Sequence, residues 1–433
     1  MRFNFSLSLV NRQFIGQTAK KLRPYLKQLR SAAKDHQYSR PESSLFLPAD
    51  GRQLAKVNRL AKRFDSKNPR YVVVIGIGGS NLGAKAVYDA LYGQFDDLTP
   101  ARTPKMIFVD TLQPERLFKL KKFLRPVVKN PDSVVFNLIS KSGGTTESIA
   151  NAEALAELFT KAEDFFKRLV ITTDEGSKLW QWAEDHNIAK LAVPPMVGGR
   201  YSVFSTVGLF PLSLVGVDLA SFRRGAIEMT KGCLLANNNN PAFTAAAMVA
   251  NHQRRGKRIH DHFFFAPELK TLGEWGRQLI AESLGKEKNL KGQIVRQGIT
   301  PTVSIGTTDL HSVAQLYLAG PKDKVTTFIN VAAEGHDQRL PRRPLFCDLA
   351  EGLAGRSLGE VRAAIYQGVI EAYQKKRLPF NEVVLPTLTE YSLGQFMQWQ
   401  MITVMMIAAL WKINAFDQPQ VELYKKETRR ILK

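Results

Sequence analysis

The sequence predicts an α/β protein with two domains, each built on a mainly parallel sheet. Short β-branched and aromatic runs alternate with helical patterns, and strands that alternate with helices are typical of doubly wound sheets. The same alternation is found in both halves of the chain, and we predict that the two domains are joined near residues 200–220. A chain of 433 residues is also long enough for two or three domains with substantial cores.

The predicted strands follow one another in a regular order. The first half contains YVVVI, MIFVD, VVFNLIS, RLVITTD and KLAVP, and the second half contains HFFFAP, TVSIGT, KVTTFINV and NEVVLP. We therefore divide the chain into an N-terminal helical extension (residues 1–55), a first α/β domain (56–210), a second α/β domain (211–415) and a C-terminal helical tail (416–433).

The composition indicates a cytoplasmic protein. The hydrophobic share of 44% and the charged share of 23% are ordinary for globular domains. Cys233 and Cys347 are far apart, so they predict neither a disulfide framework nor a zinc site. The N-terminus lacks the pattern of a signal peptide. The longest apolar run, MITVMMIAALW, is too short to span a bilayer and predicts a buried helix.

The charge is the unusual feature of the composition. Lysine and arginine number 61 against 39 acidic residues, which gives a net charge of +22. A nucleic acid or an anionic membrane has to be considered as a partner. However, the basic residues are spread along the chain in short clusters without interleaved aromatic residues. We therefore favour a solvated basic surface, which would speed the encounter with an anionic substrate, over either partner.

The stretch SKSGGTTES, from Ser140 to Ser148, follows a predicted strand and precedes a predicted helix. The start of a helix has unpaired N–H groups and the positive end of the helix dipole. Hydroxyl side chains and glycines there allow an anion to approach closely, so the turn predicts a phosphate site. An ordinary N-cap is the alternative, but capping needs one hydroxyl and no paired glycines.

Other polar residues follow strands or end helices. GIGGSNLG after YVVVI is only an imperfect dinucleotide fingerprint. Arg200 follows a Gly-Gly turn that would let its guanidinium reach an oxyanion, and a structural salt bridge is an equally open interpretation of it. Gln278 and Glu282 are four residues apart and share one face of a predicted helix over residues 267–281. A carboxylate at the C-terminal end of a helix is unfavourable, because the helix dipole is negative there. A function, simple exposure to solvent or pairing with Lys286 would each explain why Glu282 occupies this position. The two histidines of HDH, from His260, lack further ligands and are interpreted as structural.

Six motifs occur in order between Gly76 and Lys426: GIGGS, SKSGGTTES, VGGRYS, QLIAESLGK, GTTDLH and FDQPQVELYKK. Together they resemble the phosphoglucose isomerase family. The resemblance implies two α/β/α sandwich domains of the sugar-isomerase (SIS) type. It also implies interconversion of glucose 6-phosphate and fructose 6-phosphate, in glycolysis and gluconeogenesis, without a metal or another cofactor.

The resemblance also implies a role for each matching residue. Glu282 would move a proton between C2 and C1, and Arg200 would stabilise the enediolate. His311 and Lys425 would open the sugar ring, with His311 supplied by the partner subunit of a homodimer. The remaining matching residues would hold the substrate, mostly at its phosphate, with Gln278 at the phosphate end or beside the base: Gly79, Ser80, Ser140, Lys141, Ser142, Thr145, Gln278 and Gln418.

The chemistry agrees with these residue types. A proton next to a carbonyl is weakly acidic, and a positioned carboxylate base typically contributes about 10²–10⁴-fold to its removal. A developing enediolate needs a cation that it cannot deprotonate, which suits arginine better than lysine. The sequence departs from the pattern of the family that it resembles at Ala281 and Leu284, on either side of Glu282, where that family commonly has glycine and a small or polar residue, respectively.

Two other functions within the wider class are less favoured. A non-catalytic sugar-phosphate sensor has no need for Glu282, His311, Arg200 and Lys425 together, and the first 60 residues show no helix-turn-helix pattern. A glutamine-dependent aminotransferase would need an N-terminal cysteine, but residue 2 is arginine.

Overall fold

Two five-stranded sheets organise the chain in the computed structural model, which describes residues 1–65, 68–93, 95–237, 239–333, 335–346 and 349–432. Their strands and those of a small hairpin are β1 (Arg2–Asn4), β2 (Tyr71–Ile75), β3 (Lys105–Val109), β4 (Val134–Ile139), β5 (Leu169–Asp174), β6 (Ala189–Val193), β7 (Ile259–Phe264), β8 (Lys286–Lys288), β9 (Ile294–Gln297), β10 (Thr300–Ile305), β11 (Lys324–Ala333) and β12 (Phe380–Thr387).

Helices connect and cover these strands. They are α1 (Arg12–Ala32), α2 (Gly51–Asp65), α3 (Leu82–Tyr92), α4 (Pro114–Val127), α5 (Thr146–Ala156), α6 (Ala162–Phe166), α7 (Lys178–Asp185), α8 (Thr206–Leu214), α9 (Leu219–Cys233), α10 (Pro241–Arg254), α11 (Lys270–Leu284), α12 (Ala314–Ala319), α13 (Leu358–Lys375), α14 (Glu390–Trp411) and α15 (Val421–Ile431).

The first sheet is entirely parallel and has the order β3-β2-β4-β5-β6. Alternate residues of β2 belong to different apolar clusters, with Val72 and Val74 in one and Val73 and Ile75 in the other. Both faces of the sheet are therefore covered. This explains why its strands are continuous apolar runs and not alternating ones.

The second sheet has the order β1-β12-β11-β7-β10 and is parallel except for β1, which pairs antiparallel with β12. Phe264 of β7 lies in the large apolar cluster, whereas Phe263 and Phe265 lie in a separate cluster on the other face. The large cluster also contains Val72 and Val74 of the first sheet, so one continuous core joins the two sheets.

Helix α14 belongs to this shared core. Among the described residues it is a helix of sufficient length and apolar composition to cross a membrane, but 83% of its most apolar window is buried inside the fold. It packs mainly against α9 and α10. The prediction of a buried helix is confirmed, although the helix is longer than the apolar run that predicted it.

The prediction of an α/β fold with parallel-rich sheets and a C-terminal helix is confirmed. All nine predicted strands are present, some shifted by up to three residues. The strand β1 and the β8–β9 hairpin were not predicted from the sequence. The predicted boundary at residue 55 falls inside α2, and that at residue 210 falls inside α8. Cys233 is buried with a free thiol, and Cys347 lies outside the described residues.

The histidines of HDH lie on β7 with both side chains buried and with ring centroids 4.1 Å apart. Gln400 Nε2 lies 3.1 Å from His262 Nε2, and His260 Nε2 lies 2.9 Å from Thr327 Oγ1. Burial lowers the pKa of His262 to about 4, and it lowers the pKa of His260 well below its ordinary value. Within the described residues no group of three or more His, Cys, Asp and Glu side chains is arranged to hold a metal.

We expect the buried histidine pair to make the fold sensitive to acid. The unfolded chain binds protons at these imidazoles below pH ~6.5 and the folded chain does not, so stability is lost as the pH falls towards 4. Replacing His262 by Asn should reduce the loss of unfolding free energy between pH 7.5 and 5.5 by on the order of 1 kcal/mol. Urea titrations at the two pH values measure this loss. The control, exposed His186→Asn, should keep the full loss; an equal loss in both variants would contradict the assignment.

Candidate active site

The two glycine-rich turns of the first domain lie side by side at the carboxyl end of its sheet. The chain runs from β2 to β3 on one side and later returns to β4 on the other side of β2. This is the topological switch point at which α/β sheets bind ligands. A Cβ on Gly76 would lie 3.2 Å from the carbonyl oxygen of Ile139, so the turn after β2 begins against the end of β4.

The turn after β4 presents a helix start that is not capped by a side chain. Buried Ser140 lies with its Oγ 2.8 Å from Thr145 Oγ1, and Thr145, the N-cap of α5, makes no capping hydrogen bond. Gly143 has φ +70°, and a Cβ there would lie 2.9 Å from Ser177 Oγ, so only glycine fits. Ser142 is exposed, and Lys141 Nζ donates to Asp174 Oδ1 at 2.9 Å. The arrangement suits an anion.

The turn after β2 packs against the segment that carries Arg200. A Cβ on Gly79 would lie 2.3 Å from the carbonyl carbon of Gly199 and 2.5 Å from the Arg200 nitrogen. Ser202 Oγ also donates to the Gly79 carbonyl at 3.3 Å. Ser80, the next residue of the turn, is half-buried. The close approach of the two backbones fixes where the Arg200 side chain begins.

Arg200 is buried, with 2% of its side chain exposed, and all five of its N–H groups find acceptors. Nε donates to Ser283 Oγ at 2.8 Å. Nη1 donates to Glu282 Oε2 at 3.2 Å and to Gln418 Oε1 at 2.5 Å. Nη2 donates to the carbonyls of Ala415 and Asp417, at 2.7 and 3.2 Å. The guanidinium therefore joins the first sheet, the end of α11 and the C-terminal segment.

Glu282 lies in the last turn of α11 with both carboxylate oxygens held. Gln278 Nε2 donates to Oε1 at 2.9 Å, and Arg200 Nη1 donates to Oε2. The prediction that Gln278 and Glu282 lie on the same face of the helix is therefore confirmed. Gly78 has φ +57°, and a Cβ there would lie 3.0 Å from Gln278 Nε2, which places Gln278 between the turn after β2 and Glu282.

The carboxylate of Glu282 remains accessible, with 29% of its side chain exposed. It lines a cavity of about 540 Å³ together with Gln418, Asp417 and Ala281. Leu284, by contrast, is fully buried in the core, so its side chain is directed away from this cavity. A fixed but accessible carboxylate can act as a base towards a bound molecule.

Lys286 does not pair with the Glu282 carboxylate, which was one of the three explanations considered for Glu282. Its Nζ donates to the backbone carbonyl of Glu282 at 2.8 Å and lies 3.0 Å from Asp417 Oδ1. Burial lowers the pKa of Lys286, and its hydrogen bonds and charge interaction with Asp417 act in the opposite direction. Sequence reasoning missed Asp417 and Ser283, although both lie within the quoted motifs.

Among the described residues, the expected catalytic residues His311 and Lys425 make no hydrogen bond or ion pair with Glu282, and neither do Ser80 and the residues of the turn after β4. His311 is exposed after β10, an edge strand of the second sheet. Lys425 lies on α15, and its Nζ donates to Glu422 Oε1 at 2.9 Å. The structure thus gathers Gly79, Arg200, Gln278, Glu282 and Gln418 in direct contacts and leaves His311 and Lys425 at the surface.

The fold and the site are those of an α/β protein with two glycine-rich turns at the carboxyl edge of a parallel sheet and an accessible carboxylate held by a buried arginine. The sequence model of the family described as Phosphoglucose isomerase matches residues 60–433. This match covers most of the chain, and the chain therefore belongs to the phosphoglucose isomerase family.

Individual relatives agree with this assignment. The glucose-6-phosphate isomerase of Carboxydothermus hydrogenoformans is 35% identical over 396 residues, which cover 89% of this chain and 83% of the relative. That of Thermus thermophilus is 32% identical and covers 89% of both chains. A solved structure from Thermus thermophilus, named hypothetical protein TT0462, superposes with a TM-score of 0.85 at 28% identity and covers 100% of this chain and 99% of that one.

A second solved structure shows the same fold at lower identity. The glucose-6-phosphate isomerase of Chlamydia trachomatis superposes with a TM-score of 0.84 at 20% identity. The match covers 99% of this chain and 88% of that one.

The contact between Gly79 and Gly199 gives a test of the site's architecture. Replacing Gly79 by Ala should lower the free energy of unfolding by about 1–3 kcal/mol, because the added carbon meets backbone that cannot move aside freely. Thermal unfolding measures the effect. The matched control is Gly198→Ala in the same motif, where an added Cβ meets no atom within 4 Å. Similar melting of both variants would show that the two turns are not packed as described.

Proposed function

We propose that the chain interconverts glucose 6-phosphate and fructose 6-phosphate, as an aldose–ketose isomerase of glycolysis and gluconeogenesis. The observation that carries this function is the Glu282 carboxylate. Both of its oxygens are held, by Gln278 and Arg200, and it still lines an open cavity together with Asp417 and Gln418. A carboxylate fixed in this way suits proton transfer between neighbouring carbons of an open-chain sugar.

The substrate phosphate binds at the turn between β4 and α5. Ser140, Lys141, Ser142 and Thr145 supply hydroxyls, a cation and backbone N–H groups, and Gly79 and Ser80 approach from the neighbouring turn. The uncapped start of α5 supports this placement, because its amides and dipole favour a doubly charged anion. The neighbouring turn of Gly76–Ser80 meets the strand end at Ile139.

The reaction proceeds by proton transfer through a cis-enediolate. Glu282 removes the proton from C2 or C1 and returns it to the other carbon, so no cofactor is needed. Arg200 stabilises the enediolate oxygen. Its Nη1 is the nitrogen whose two acceptors are both side chains, Glu282 and Gln418, whereas Nη2 is held by backbone carbonyls. Rotation of Gln418 would free one Nη1 hydrogen for the substrate.

Ring opening is carried out by Lys425 and by His311 of the partner subunit in a homodimer. His311 is exposed, and α15, which carries Lys425, has no buried residue. This helix exposes large apolar side chains to solvent in the single chain: Leu423, Tyr424 and Ile431. Exposed apolar clusters of this kind mark protein interfaces. A homodimer would cover them and bring His311 to a site that lacks it.

The finer architecture and cellular setting complete the proposal. The two sheets form the centres of two SIS-type α/β/α domains, with the N-terminal extension and the C-terminal tail added to them. We place the enzyme in the cytoplasm, with the sugar phosphates as its ligands and without a membrane or nucleic acid partner. A sugar-phosphate sensor is not favoured, because the relatives are named as isomerases and the chain retains a positioned carboxylate.

The first test is a coupled assay with fructose 6-phosphate, in which glucose-6-phosphate dehydrogenase reports NADP reduction. We expect turnover that survives EDTA. Glu282→Gln should retain sugar-phosphate binding and lose at least about 100-fold in kcat, because the amide cannot accept the proton. Binding is measured by calorimetry. The matched control is Glu274→Gln, two turns earlier on α11, which should keep its activity. Binding without turnover in the unaltered protein would instead support the sensor.

A mixing experiment tests the origin of His311. Chains with Glu282→Gln and chains with His311→Asn are each expected to be nearly inactive. If His311 acts across the interface, a mixed dimer has one intact site and one doubly altered site. Random reassortment of equal amounts should therefore recover about a quarter of the unaltered activity. If His311 acts in its own chain, every site carries one defect and the mixture stays as inactive as its components.

A further inference from the structure

Lys286 is a buried lysine next to the candidate base with no assigned role. It opens β8, directly after the Gly285 that ends α11, and 6% of its side chain is exposed. An ammonium group has three hydrogens to donate. Those of Lys286 have three acceptors: the Glu282 carbonyl, the Asp417 carbonyl and the Asp417 carboxylate. The side chain is therefore fully engaged.

The Asp417 carbonyl receives hydrogen bonds from two buried cations. Arg200 Nη2 donates to it at 3.2 Å, and Lys286 Nζ donates to the same oxygen. Arg200 follows the first sheet, whereas Lys286 follows α11 in the second half of the chain. One peptide group of the C-terminal segment is thus held from both halves of the protein.

The same segment places Gln418 beside the base. Gln418 follows Asp417 directly, and its Oε1 accepts from the Arg200 nitrogen that also donates to Glu282. A shift of the Asp417 backbone would therefore move Gln418 and change the hydrogen bonds that Arg200 Nη1 donates to Gln418 and Glu282. The phosphate turn at Ser140–Thr145 shares none of the contacts of Lys286.

We propose that Lys286 is a positioning residue for isomerisation, because it fixes the Asp417 backbone against Arg200 and so sets the geometry of Arg200, Gln418 and Glu282. This inference rests on the proposed function. Lys286 acts on the chemical step and not on phosphate binding, since it contacts the segment and the end of α11 but not the phosphate turn. Small displacements of catalytic groups are sufficient to slow proton transfer.

The test compares Lys286→Met with Lys288→Met, which removes an exposed lysine from the same strand. Methionine keeps the length of the apolar stem and removes the three donors. We expect Lys286→Met to lower kcat at least tenfold, because a small misplacement of the catalytic groups slows the reaction by about that factor or more. The KM for fructose 6-phosphate should change by less than about threefold. Lys288→Met should match the unaltered enzyme. An unchanged kcat, or a loss confined to KM, would overturn the proposal.

Two further measurements separate positioning from general damage. Lys286→Ala should regain at least about threefold in kcat with added methylammonium, because the small cation restores the donors. Lys288→Ala should not respond. Hydrogen exchange of residues 412–420 should be faster in Lys286→Met than in Lys288→Met, with the β2 and β4 peptides unchanged. Exchange equal in both variants would show that Lys286 does not hold the segment.

The exchange measurement also keeps the two proposals distinguishable. If the unaltered protein fails to isomerise fructose 6-phosphate, the proposed function fails. Hydrogen exchange still reports whether Lys286 fixes the C-terminal segment, because it requires no turnover. Faster exchange in an inactive protein would retain the structural part of the inference and remove its catalytic part.

Discussion

The buried guanidinium of Arg200 is the interaction on which the site depends. Its five hydrogens meet five acceptors from α11 and the C-terminal segment, and its own backbone is set by the contact of Gly199 with Gly79. Arginine suits this position because its planar fork keeps its charge and reaches several acceptors at once. Three regions that are far apart in the chain are thereby joined beside Glu282.

Charge is balanced locally around the site. Arg200 pairs with Glu282, Lys286 with Asp417, and Lys141 with Asp174. Under the proposed function the substrate phosphate is therefore bound by backbone amides, hydroxyls and the start of α5, together with one cation, Lys141, whose charge is shared with Asp174. The net charge of +22 is then a property of the whole surface. Its effect is to attract anions over a distance, which affects the rate of encounter more than the strength of binding.

The sequence was sufficient to predict nine of the described strands and a local side-chain pair, and insufficient to predict the contacts that join distant segments. Helical spacing predicted that Gln278 and Glu282 share a face, and they are hydrogen-bonded. The contacts of Arg200 with Ser283 and Asp417 span 83 and 217 residues and have no local signal. Likewise β1 is three residues long, and its pairing with β12 depends on the finished sheet.

The residues proposed for proton transfer are held in place within the single chain, whereas those proposed for ring opening are not. The proton-transfer part is built from buried or hydrogen-bonded groups, since Glu282, Gln278 and Arg200 restrain one another. The ring-opening part consists of exposed His311 and of Lys425, whose ammonium group donates to Glu422 on its own helix. Proton transfer between adjacent carbons requires precise placement of one base, so it benefits from groups fixed within one fold. Groups that become ordered on assembly can serve ring opening, so under the proposed function the homodimer would affect activity at that step.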